Sequence, residues 1–498
     1  MGSDTSRLGL VGTIAAGASL AVTELVASLF VGVRSPLLSV GDIVIDFSPD
    51  WLEQWAIATF GTNDKAVLIG SMIGVIVLLG AVAGATSRET LLPAIGLFAG
   101  SASLAAWGVL RDPLQEAGPA VLSVVVGVLV GLAILGIVRV PVVAEAPDRR
   151  RFISLAAGAT VFAVVVGYAG RSRTNRMVAA VDRADVALPT PVDPAGPVAD
   201  GLGVDGVSSL ITPNDSFYRI DTALSIPAVP LDEWRLRVTG MVDRPFDLSF
   251  EELLQLPMVE RHITISCVSN DVGGRLVGTA TWLGVPLERV LDKAGVQEGA
   301  TQLVGRSVDG WTAGFPTEVA FDGRDALVAI GMNGEPLPME HGFPARLIVP
   351  GLYGYVSATK WLEEIELTTW EGFDAYWVPR GWSKEGPMKI SSRIDTPRPT
   401  GVAKPGPVAI GGVAWAPHRG ISRVEVRVDE GEWQEATLSE GFSDDTWRQW
   451  TLGVELAAGR RSVEVRAYDN DGEQQPEGPR DPRPDGAEGW HRVLVTVA

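Results

Sequence analysis

Apolar residues dominate the first 170 residues, and most of the charged residues and prolines follow them. Five apolar stretches in this region approach or exceed the roughly 20 residues that a helix needs to cross the hydrocarbon core of a bilayer. They are rich in Gly, Ala and Ser, which lets membrane helices pack closely. We therefore predict a bundle of five transmembrane helices, with spans at about residues 8–33, 66–86, 91–110, 119–138 and 152–170.

Two features inside this region depart from a plain apolar pattern. Glu24 lies within the first predicted span, where an ionisable group indicates either a function or a polar contact between helices. Residues 35–65 combine Asp42, Asp46, Asp50 and Glu53 with Trp51 and Trp55. Tryptophan is enriched where a membrane meets water, so this segment predicts an interfacial loop or a short amphipathic helix.

The arginines before the fifth span indicate the orientation of the chain. Arg149 and Arg150 precede Arg151, Phe152 and Ile153, which resembles a twin-arginine export signal. The alternative is an ordinary basic flank at the cytoplasmic face. Both interpretations leave the arginines inside, and both predict a multi-pass protein of the cytoplasmic membrane with everything after residue 170 outside.

The remaining chain predicts a linker and two domains. Residues 171–210 are rich in proline and glycine, as extended linkers are. Residues 211–396 alternate short strands with short helices, and Ser249 with Glu252 has the spacing of a capping box. Residues 397–498 contain strictly alternating runs, such as 424–428 and 463–467, which predict an immunoglobulin-like β-sandwich.

Charge and cysteine content narrow the possible functions. The net charge is −19, which argues against nucleic acid as a partner because phosphate binding needs clustered Lys and Arg. The single cysteine, Cys267, excludes an intrachain disulfide. It follows an alternating strand and precedes a turn with Gly273 and Gly274. A thiolate at such a strand end could bind a soft metal or act as a nucleophile, whereas a lone cysteine is usually a small buried apolar residue.

Several motifs, which occur in a fixed order along the chain, favour a functional role for Cys267 over a buried apolar one. They are T-P-N-D-S-F-Y-R at residues 212–219, W-R-L-R-V-T-G at 234–240, the segment around Cys267, and the long stretches 332–351 and 355–362. From residue 211 to its C-terminus the chain resembles the sulfite oxidase family of molybdopterin enzymes. The resemblance implies a molybdenum–molybdopterin cofactor and a two-electron transfer of an oxygen atom. It also implies that the C-terminal domain can form a homodimer.

The resemblance assigns roles to individual residues. Cys267 matches the cysteine that gives a thiolate to molybdenum, and Arg219 and Tyr376 match further catalytic positions. The predicted cofactor-binding residues are Asn214, Phe217, Arg219, Cys267, His341, Arg346, Ser357 and Lys360. Their chemistry agrees with this assignment, because a buried phosphate requires cationic groups and hydrogen-bond donors.

The sequence departs from the family where the substrate should bind. Sulfite-oxidising members carry arginines just after the metal cysteine, and here Val268, Ser269, Asn270 and Asp271 stand in that segment. Asp221 replaces a family histidine two residues after Arg219. An acid would repel sulfite. Sulfite is therefore disfavoured within the expected class of small substrates, which comprises sulfoxides, sulfite and N-oxides.

The apolar region lacks the residues that hold redox groups. The four histidines are at 262, 341, 418 and 491, outside the predicted spans. We expect no haem and no iron–sulfur cluster in this chain, and a separate cytochrome or quinone-linked electron partner. The alternative function is a cofactor-free binding or assembly module that retains the fold.

Overall fold

A computed structural model of the chain describes residues 2–30, 33–60, 63–112, 115–144, 183–227, 229–398 and 402–498. The predicted fifth span, the arginines at 149 and 150 and part of the predicted linker lie outside these ranges. The chain divides into two compact units. The first comprises Met1–Val181 with Thr222–Ala228, and the second comprises Asp182–Asp221 with Val229–Ala498.

The first unit is helical. Its helices are α1 (Gly2–Ala27), α2 (Pro36–Phe47), α3 (Asp50–Phe60), α4 (Asp64–Thr86), α5 (Leu92–Arg111) and α6 (Ala117–Ala144). Four segments in the described part are long and apolar enough to cross a membrane, namely Thr5–Ala27, Asp64–Thr86, Leu92–Arg111 and Ala117–Val138. They coincide with the first four predicted spans, but the first helix ends at Ala27 and not at residue 33.

Glycines bring α1 and α4 together. A Cβ at Gly12 would collide with the carbonyl oxygen of Gly80, and one at Gly84 would collide with that of Leu8. The backbones therefore touch directly, as small residues permit in membrane helices. Leu8 and Ala83 are fully buried in the core of this unit.

The segment between the first two spans contains two short helices, α2 and α3. On α3, Trp51 and Trp55 are 69% and 54% exposed, so their indole rings face outward one turn apart. The segment is therefore helical, which decides between the loop and the helix that its sequence allowed. Glu24 accepts a hydrogen bond from Ser35 Oγ at 2.8 Å. This is the polar contact between segments that was one of the two interpretations of Glu24.

The second unit begins with a mixed domain of two sheets. One sheet has the order β2-β1-β10-β5-β6 and the other β3-β4-β7-β8, with β9 paired to β7. The strands are β1 (Arg235–Gly240), β2 (Phe246–Ser249), β3 (Val259–Ser266), β4 (Val277–Pro286), β5 (Gln302–Ser307), β6 (Thr312–Pro316), β7 (Leu327–Met332), β8 (Glu335–Pro336), β9 (Arg346–Ile348) and β10 (Leu362–Thr368). Helices α7 (Phe250–Leu254), α8 (Leu287–Ala294) and α9 (Gly354–Ser357) connect them.

Local sequence signals explain several of these elements. Ser249 Oγ accepts from the backbone N–H of Glu252, and the Glu252 carboxylate accepts from the N–H of Ser249, so the predicted capping box begins α7. Helix α8 ends at Gly295, whose φ of 71° suits glycine. The core between the elements includes Trp234, Leu236, Phe315 and Leu347, all nearly inaccessible to solvent.

The C-terminal domain consists of two further sheets. Their orders are β11-β13-β17-β16 and β12-β19-β18-β14-β15. The strands are β11 (Ser391–Thr396), β12 (Val402–Ala403), β13 (Gly406–Trp415), β14 (Arg423–Val428), β15 (Gln434–Glu435), β16 (Thr437–Leu438), β17 (Arg448–Leu456), β18 (Gly459–Tyr468) and β19 (His491–Val497). The alternating runs that predicted strands lie in β14 and β18, which pair antiparallel. Their inward residues Val424, Val426 and Val465 are fully buried.

Candidate active site

Cys267 directly follows strand β3, which ends at Ser266. The backbone N–H of Cys267 donates to the carbonyl of Leu276 at 2.9 Å, and the N–H of Asn270 donates back to the carbonyl of Cys267 at 3.1 Å. The Asn270 side chain closes the turn by accepting from the N–H of Leu276 at 2.8 Å. These hydrogen bonds fix Cys267 as the first residue of a turn after a strand, which is the placement that the sequence pattern predicted.

The thiol of Cys267 is partly buried and lies 3.0 Å from Ser269 Oγ. Burial raises its pKa, while the hydrogen bond to Ser269 and the charge of Lys360 act in the opposite direction. A thiol in this state is protonated at neutral pH, and binding to a metal would release the proton. The raised pKa therefore disfavours free nucleophilic attack in the absence of a bound cation.

The segment before β1 supplies one wall of the site. Phe217 is buried, with its ring edge-on to His341 at a centroid distance of 5.5 Å and to Trp282 at 5.9 Å. A Cβ at Gly278 would lie 2.8 Å from the Phe217 ring, so glycine makes room for it. Asn214 accepts a hydrogen bond from Asn333 Nδ2 at 2.8 Å. These contacts fix the segment that the resemblance assigns to the cofactor.

His341 and Arg346 meet in the interior. Arg346 Nη1 donates to the carbonyl of His341 at 2.9 Å, and its guanidinium lies over the Trp282 ring at 5.1 Å. His341 Nε2 is 3.1 Å from the carbonyl of Asn214. Burial, followed by the charge of Arg346, lowers the pKa of His341 to about 4, so the imidazole is neutral at pH 7. Burial also lowers the pKa of Arg346 to about 10, which leaves it charged.

Two buried polar atoms in this pair lack partners. Among the described residues, neither Nδ1 of His341 nor Nε of Arg346 has a hydrogen-bond partner. A buried donor or acceptor without a partner costs about 1–3 kcal/mol, and more when it is charged. Such a cost is offset where a ligand completes the hydrogen bonds.

Asp221 joins the two remaining cations. Its carboxylate is 2.8 Å from Arg219 Nε and 3.1 Å from Lys360 Nζ, and its side chain is only 7% exposed. Lys360 also donates to the carbonyl of Glu340 at 3.0 Å. Burial lowers the pKa of Lys360 to about 8, and Asp221 opposes that shift. Sequence reasoning noted Asp221 only as a departure from the family, because its pairing with a lysine 139 residues away becomes visible only in the fold.

Tyr218 is a further residue of the site that sequence reasoning did not assign. Its ring stacks on Phe217 at 5.3 Å, and burial together with the nearby Cys267 raises its pKa. It stands between two predicted site residues, which was a signal that could have found it. Its neutral hydroxyl is a hydrogen-bond donor close to the thiol.

Ser357 and Tyr376 complete the predicted set. Ser357 is buried at the end of α9, where its Oγ donates to the carbonyl of Tyr353 at 3.0 Å. Tyr376 receives the guanidinium of Arg380 over its ring at 3.7 Å, and its ring lies edge-on to Trp377. These contacts do not link Tyr376 to Cys267, and its catalytic role stays a prediction.

A cavity adjoins the Cys267 turn. Its wall is formed by the backbone and side chains of residues 270–273 with hydroxyl, amide and aromatic groups from Ser266, Tyr353, Ser391, Ser392, Trp415 and Gln475. Asp271 is the charged residue among the described residues that line it. The polar groups satisfy one another, since Ser392 Oγ donates to Gln475 Oε1 at 2.6 Å and Gln475 Nε2 donates to the carbonyl of Gly489 at 2.7 Å.

Cationic groups near this cavity are engaged elsewhere. The guanidinium of Arg393 donates hydrogen bonds to Asp395 at 2.6 Å, to the carbonyl of Gly274 at 2.8 Å and to Ser208 Oγ at 2.8 Å. His491 accepts from the N–H of Ile394 at 2.9 Å, and burial lowers its pKa to about 4, so it is neutral. The cavity therefore offers neutral dipoles and one carboxylate.

The donor set fits a molybdenum–molybdopterin cofactor. Among the described residues, no three His, Cys, Asp or Glu side chains come together to hold a bare metal ion. A metal bound by Cys267 would therefore take its other ligands from its own cofactor. The unpartnered atoms of His341 and Arg346, together with Lys360, suit the polar ring and the phosphate of a pterin.

Comparison with known proteins agrees with this geometry. Residues 223–377 match the family model described as oxidoreductase molybdopterin binding domain, and residues 385–498 match the Mo-co oxidoreductase dimerisation domain. The sulfite oxidase of Arabidopsis thaliana is 30% identical over 354 residues, covering 58% of this chain and 89% of the plant protein. This chain belongs to the sulfite oxidase family.

Two further relatives define the extent of the likeness. The mitochondrial sulfite oxidase of Rattus norvegicus is 30% identical over 342 residues, and the chain spans 62% of its length. The crystal structure of the sulfane dehydrogenase SoxCD from Paracoccus pantotrophus shares the fold, with a TM-score of 0.52 at 22% identity over 64% of this chain and 95% of that one.

Membership confirms the resemblance on which the site was predicted. The chain contains a molybdopterin-binding oxidoreductase domain of the sulfite oxidase type, and the family supports a molybdenum–molybdopterin cofactor. The matched dimerisation domain supports formation of a homodimer. The match to the first family model begins after residues 212–219, so the roles of Asn214, Phe217 and Arg219 rest on the motif and on their contacts.

Proposed function

We propose that this sulfite oxidase family member is a membrane-anchored enzyme that transfers an oxygen atom to or from a small substrate on the outer face of the cytoplasmic membrane. The observation that carries the proposal is the presence of unpartnered buried atoms on His341 and Arg346 in the domain that also presents Cys267. In a cofactor-free module, burial of these atoms without hydrogen bonds would lower the stability of the fold, and no ligand would offset that loss.

The residues of the site have distinct roles in this proposal. A bound molybdenum centre supplies the exchange of an oxygen atom coupled to a two-electron change. Cys267 holds the metal as a thiolate, while Arg346, His341 and Lys360 hold the pterin and its phosphate. Lys360, with a pKa of about 8, is mostly protonated at pH 7, and a neighbouring phosphate would strengthen that protonation. Ser357 and Asn214 complete the enclosure, and Arg219 and Tyr376 are proposed to face the substrate.

The cavity beside the Cys267 turn supports a neutral substrate. Its hydroxyl and amide groups already bond to one another and to the backbone, and Asp271 beside the Cys267 turn disfavours an approaching oxyanion. Within the class of sulfoxides, sulfite and N-oxides, we therefore favour the two neutral members. The direction of transfer follows from the potential of the electron partner.

The helical unit is proposed to anchor the enzyme and to dock an electron partner. Five spans, an extracytoplasmic catalytic part and export by a twin-arginine signal remain proposals, as does an immunoglobulin-like build of the C-terminal domain. Because residues 1–170 contain no histidine or cysteine, the proposed partner is a separate cytochrome or a quinone-linked protein.

Metal analysis followed by a substrate screen tests the proposal. We expect about one molybdenum per chain, as one cofactor per ligating cysteine requires. With a reduced artificial electron carrier, dimethyl sulfoxide and trimethylamine N-oxide should be reduced faster than sulfite is oxidised with the oxidised carrier. Protein purified without molybdenum or pterin from cells that supply the cofactor to other enzymes would favour the cofactor-free module.

A further inference from the structure

The chain segment after Asp221 belongs to the helical unit. Thr222–Ala228 is part of that unit, although residues on both sides of it belong to the other. We call the described residues 222–227 the strap. One peptide bond, between Asp221 and Thr222, therefore joins a residue paired with Arg219 and Lys360 to a segment that the helices hold.

Two hydrogen bonds from cationic side chains hold the strap. Lys65 Nζ at the start of α4 donates to the carbonyl of Ala223 at 2.8 Å. Arg34 Nε, just before α2, donates to Ser225 Oγ at 2.9 Å. Bonds from charged donors are about twice as strong as those between neutral groups.

Arg34 is itself fixed from several sides. Its guanidinium lies 2.8 Å from Asp42 and 3.2 Å from Asp112, and its side chain is only 12% exposed. Its backbone exchanges hydrogen bonds with the Gln115 amide at 3.0 and 2.9 Å. A connected, buried network of this kind has few alternative arrangements, so the position of Ser225 is well defined.

Packing around Gly41 adds a steric constraint. A Cβ at Gly41 would lie 2.5 Å from Leu224 Cδ1 and 3.6 Å from Met72 Sδ. Leu224 therefore occupies the space that the missing side chain leaves on α2. Any side chain at position 41 would push Leu224 away.

We propose that the helical unit positions Asp221 through the strap, and so sets the charge balance at the cofactor site. Gly41, Arg34 and Ser225 are positioning residues in this proposal, which rests on the proposed cofactor site. If the strap moves, the Asp221 carboxylate moves with it, and the partly exposed Arg219 and the largely buried Lys360 lose their shared partner. The membrane part of the protein then contributes to cofactor retention as well as to anchoring.

Hydrogen exchange on the full chain in detergent tests the first step. In Gly41→Ala we expect the strap amides to exchange about tenfold faster, because local opening becomes easier. Gly74→Ala in α4 is the matched control, since a Cβ there meets no atom within 4 Å. Both changes favour helix by about 1 kcal/mol, so loss of helix propensity cannot explain a difference. Equal strap exchange in the two variants would overturn the proposal.

A double-variant cycle tests the second step. The readout is the rate at which pterin fluorescence leaves the protein on dialysis, which does not depend on turnover. We expect Gly41→Ala and Asp221→Asn each to speed release about tenfold, and the double variant to release no faster than Asp221→Asn alone. Additive effects would show that the strap does not act through Asp221.

Ser225→Ala provides a second route if Gly41→Ala does not fold. It removes the acceptor for Arg34 without adding volume, and Ser71→Ala on α4 is its control because that hydroxyl only donates to a backbone carbonyl. We expect the strap amides to exchange faster in this variant as well, by a smaller factor of about three. No change relative to Ser71→Ala would contradict the role of Arg34. These readouts remain informative even if the enzyme shows no oxygen-atom transfer.

Discussion

The two polar regions around Cys267 differ in how completely their atoms are bonded. In the region of His341 and Arg346, two buried atoms have no hydrogen-bond partner in the part of the chain that the structure describes, and a guanidinium remains charged in the interior. In the cavity beside residues 270–273, hydroxyl and amide groups bond to each other and to the backbone. The first arrangement suits a tightly held anionic group, whereas the second has its hydrogen bonds complete and contributes one carboxylate, Asp271, that disfavours anions.

The largest expected effect comes from removing the thiol of Cys267, around which the two regions lie. Cys267→Ser should abolish molybdenum ligation and lower turnover by at least about a thousandfold, because a neutral hydroxyl is a poor substitute for a thiolate. Molybdenum content and dimethyl sulfoxide reduction measure the two losses. The melting temperature of the apoprotein should be nearly unchanged, since serine is close to cysteine in size. A fully active, molybdenum-loaded variant would rule out ligation by residue 267.

Arg346→Met should weaken cofactor binding by about 2–5 kcal/mol, the cost of losing a buried charged partner. The apoprotein should be equally stable or more stable, because methionine fills the space without a buried charge. Pterin retention and thermal unfolding of the apoprotein separate these effects. Arg237→Gln is the control, since Arg237 is 49% exposed and pairs with Glu364 on a sheet surface. If Arg346→Met keeps its pterin as well as the control does, the comparison fails.

Asp445 tests whether an unpartnered buried atom has a different consequence away from the cofactor. Its Oδ1 lacks a partner among the described residues, and burial, followed by the charge of Asp325, raises its pKa to about 7. A raised acid pKa means that the folded state holds the proton more tightly than the unfolded state. Stability is therefore lost as pH rises from about 4 to about 7.

Asp445→Asn should remove that loss and make the soluble part about 2–4 kcal/mol more stable than wild type at pH 8, with little difference at pH 4. Urea unfolding of the apoprotein at the two pH values measures the effect. Pterin retention should not change. An equal shift at both pH values would indicate a packing effect and not a titration.

The smallest expected effect sharpens the assignment of the neutral cavity. Val272→Arg places a guanidinium among the polar groups of the cavity and should bind sulfite about fivefold more tightly, by a gain of about 1 kcal/mol for a partly solvated charge pair. Val272→Gln adds similar bulk without charge and should show no gain. Calorimetric titration with sulfite decides between them. Equal affinity in the two variants would remove the cavity from the substrate path.

Sequence patterns predicted the elements whose signals are local. Apolar length found four long helices, alternation found β14 and β18, and capping residues found α7. The end of α1 was predicted too late because the apolar pattern continues to Val33 although the helix ends at Ala27. An apolar pattern reports the environment of a residue and not where its backbone turns.

The site was predictable as a set of residues but not as a set of contacts. Motifs indicated Cys267, His341 and Arg346 without geometry. The bridge from Asp221 to Lys360 and the bond from Arg34 to Ser225 each join residues more than a hundred positions apart. No local spacing encodes such pairs, because they arise only when separate elements pack.

The backbones of α1 and α4 touch directly at Gly12, Gly80 and Gly84, so the two helices form one rigid pair. Its two members cannot rotate or slide independently, since no side chain cushions one main chain from the other. In a library of random variants, we expect these glycine positions to accept no other residue, whereas the exposed apolar positions of the same helices accept almost any apolar residue.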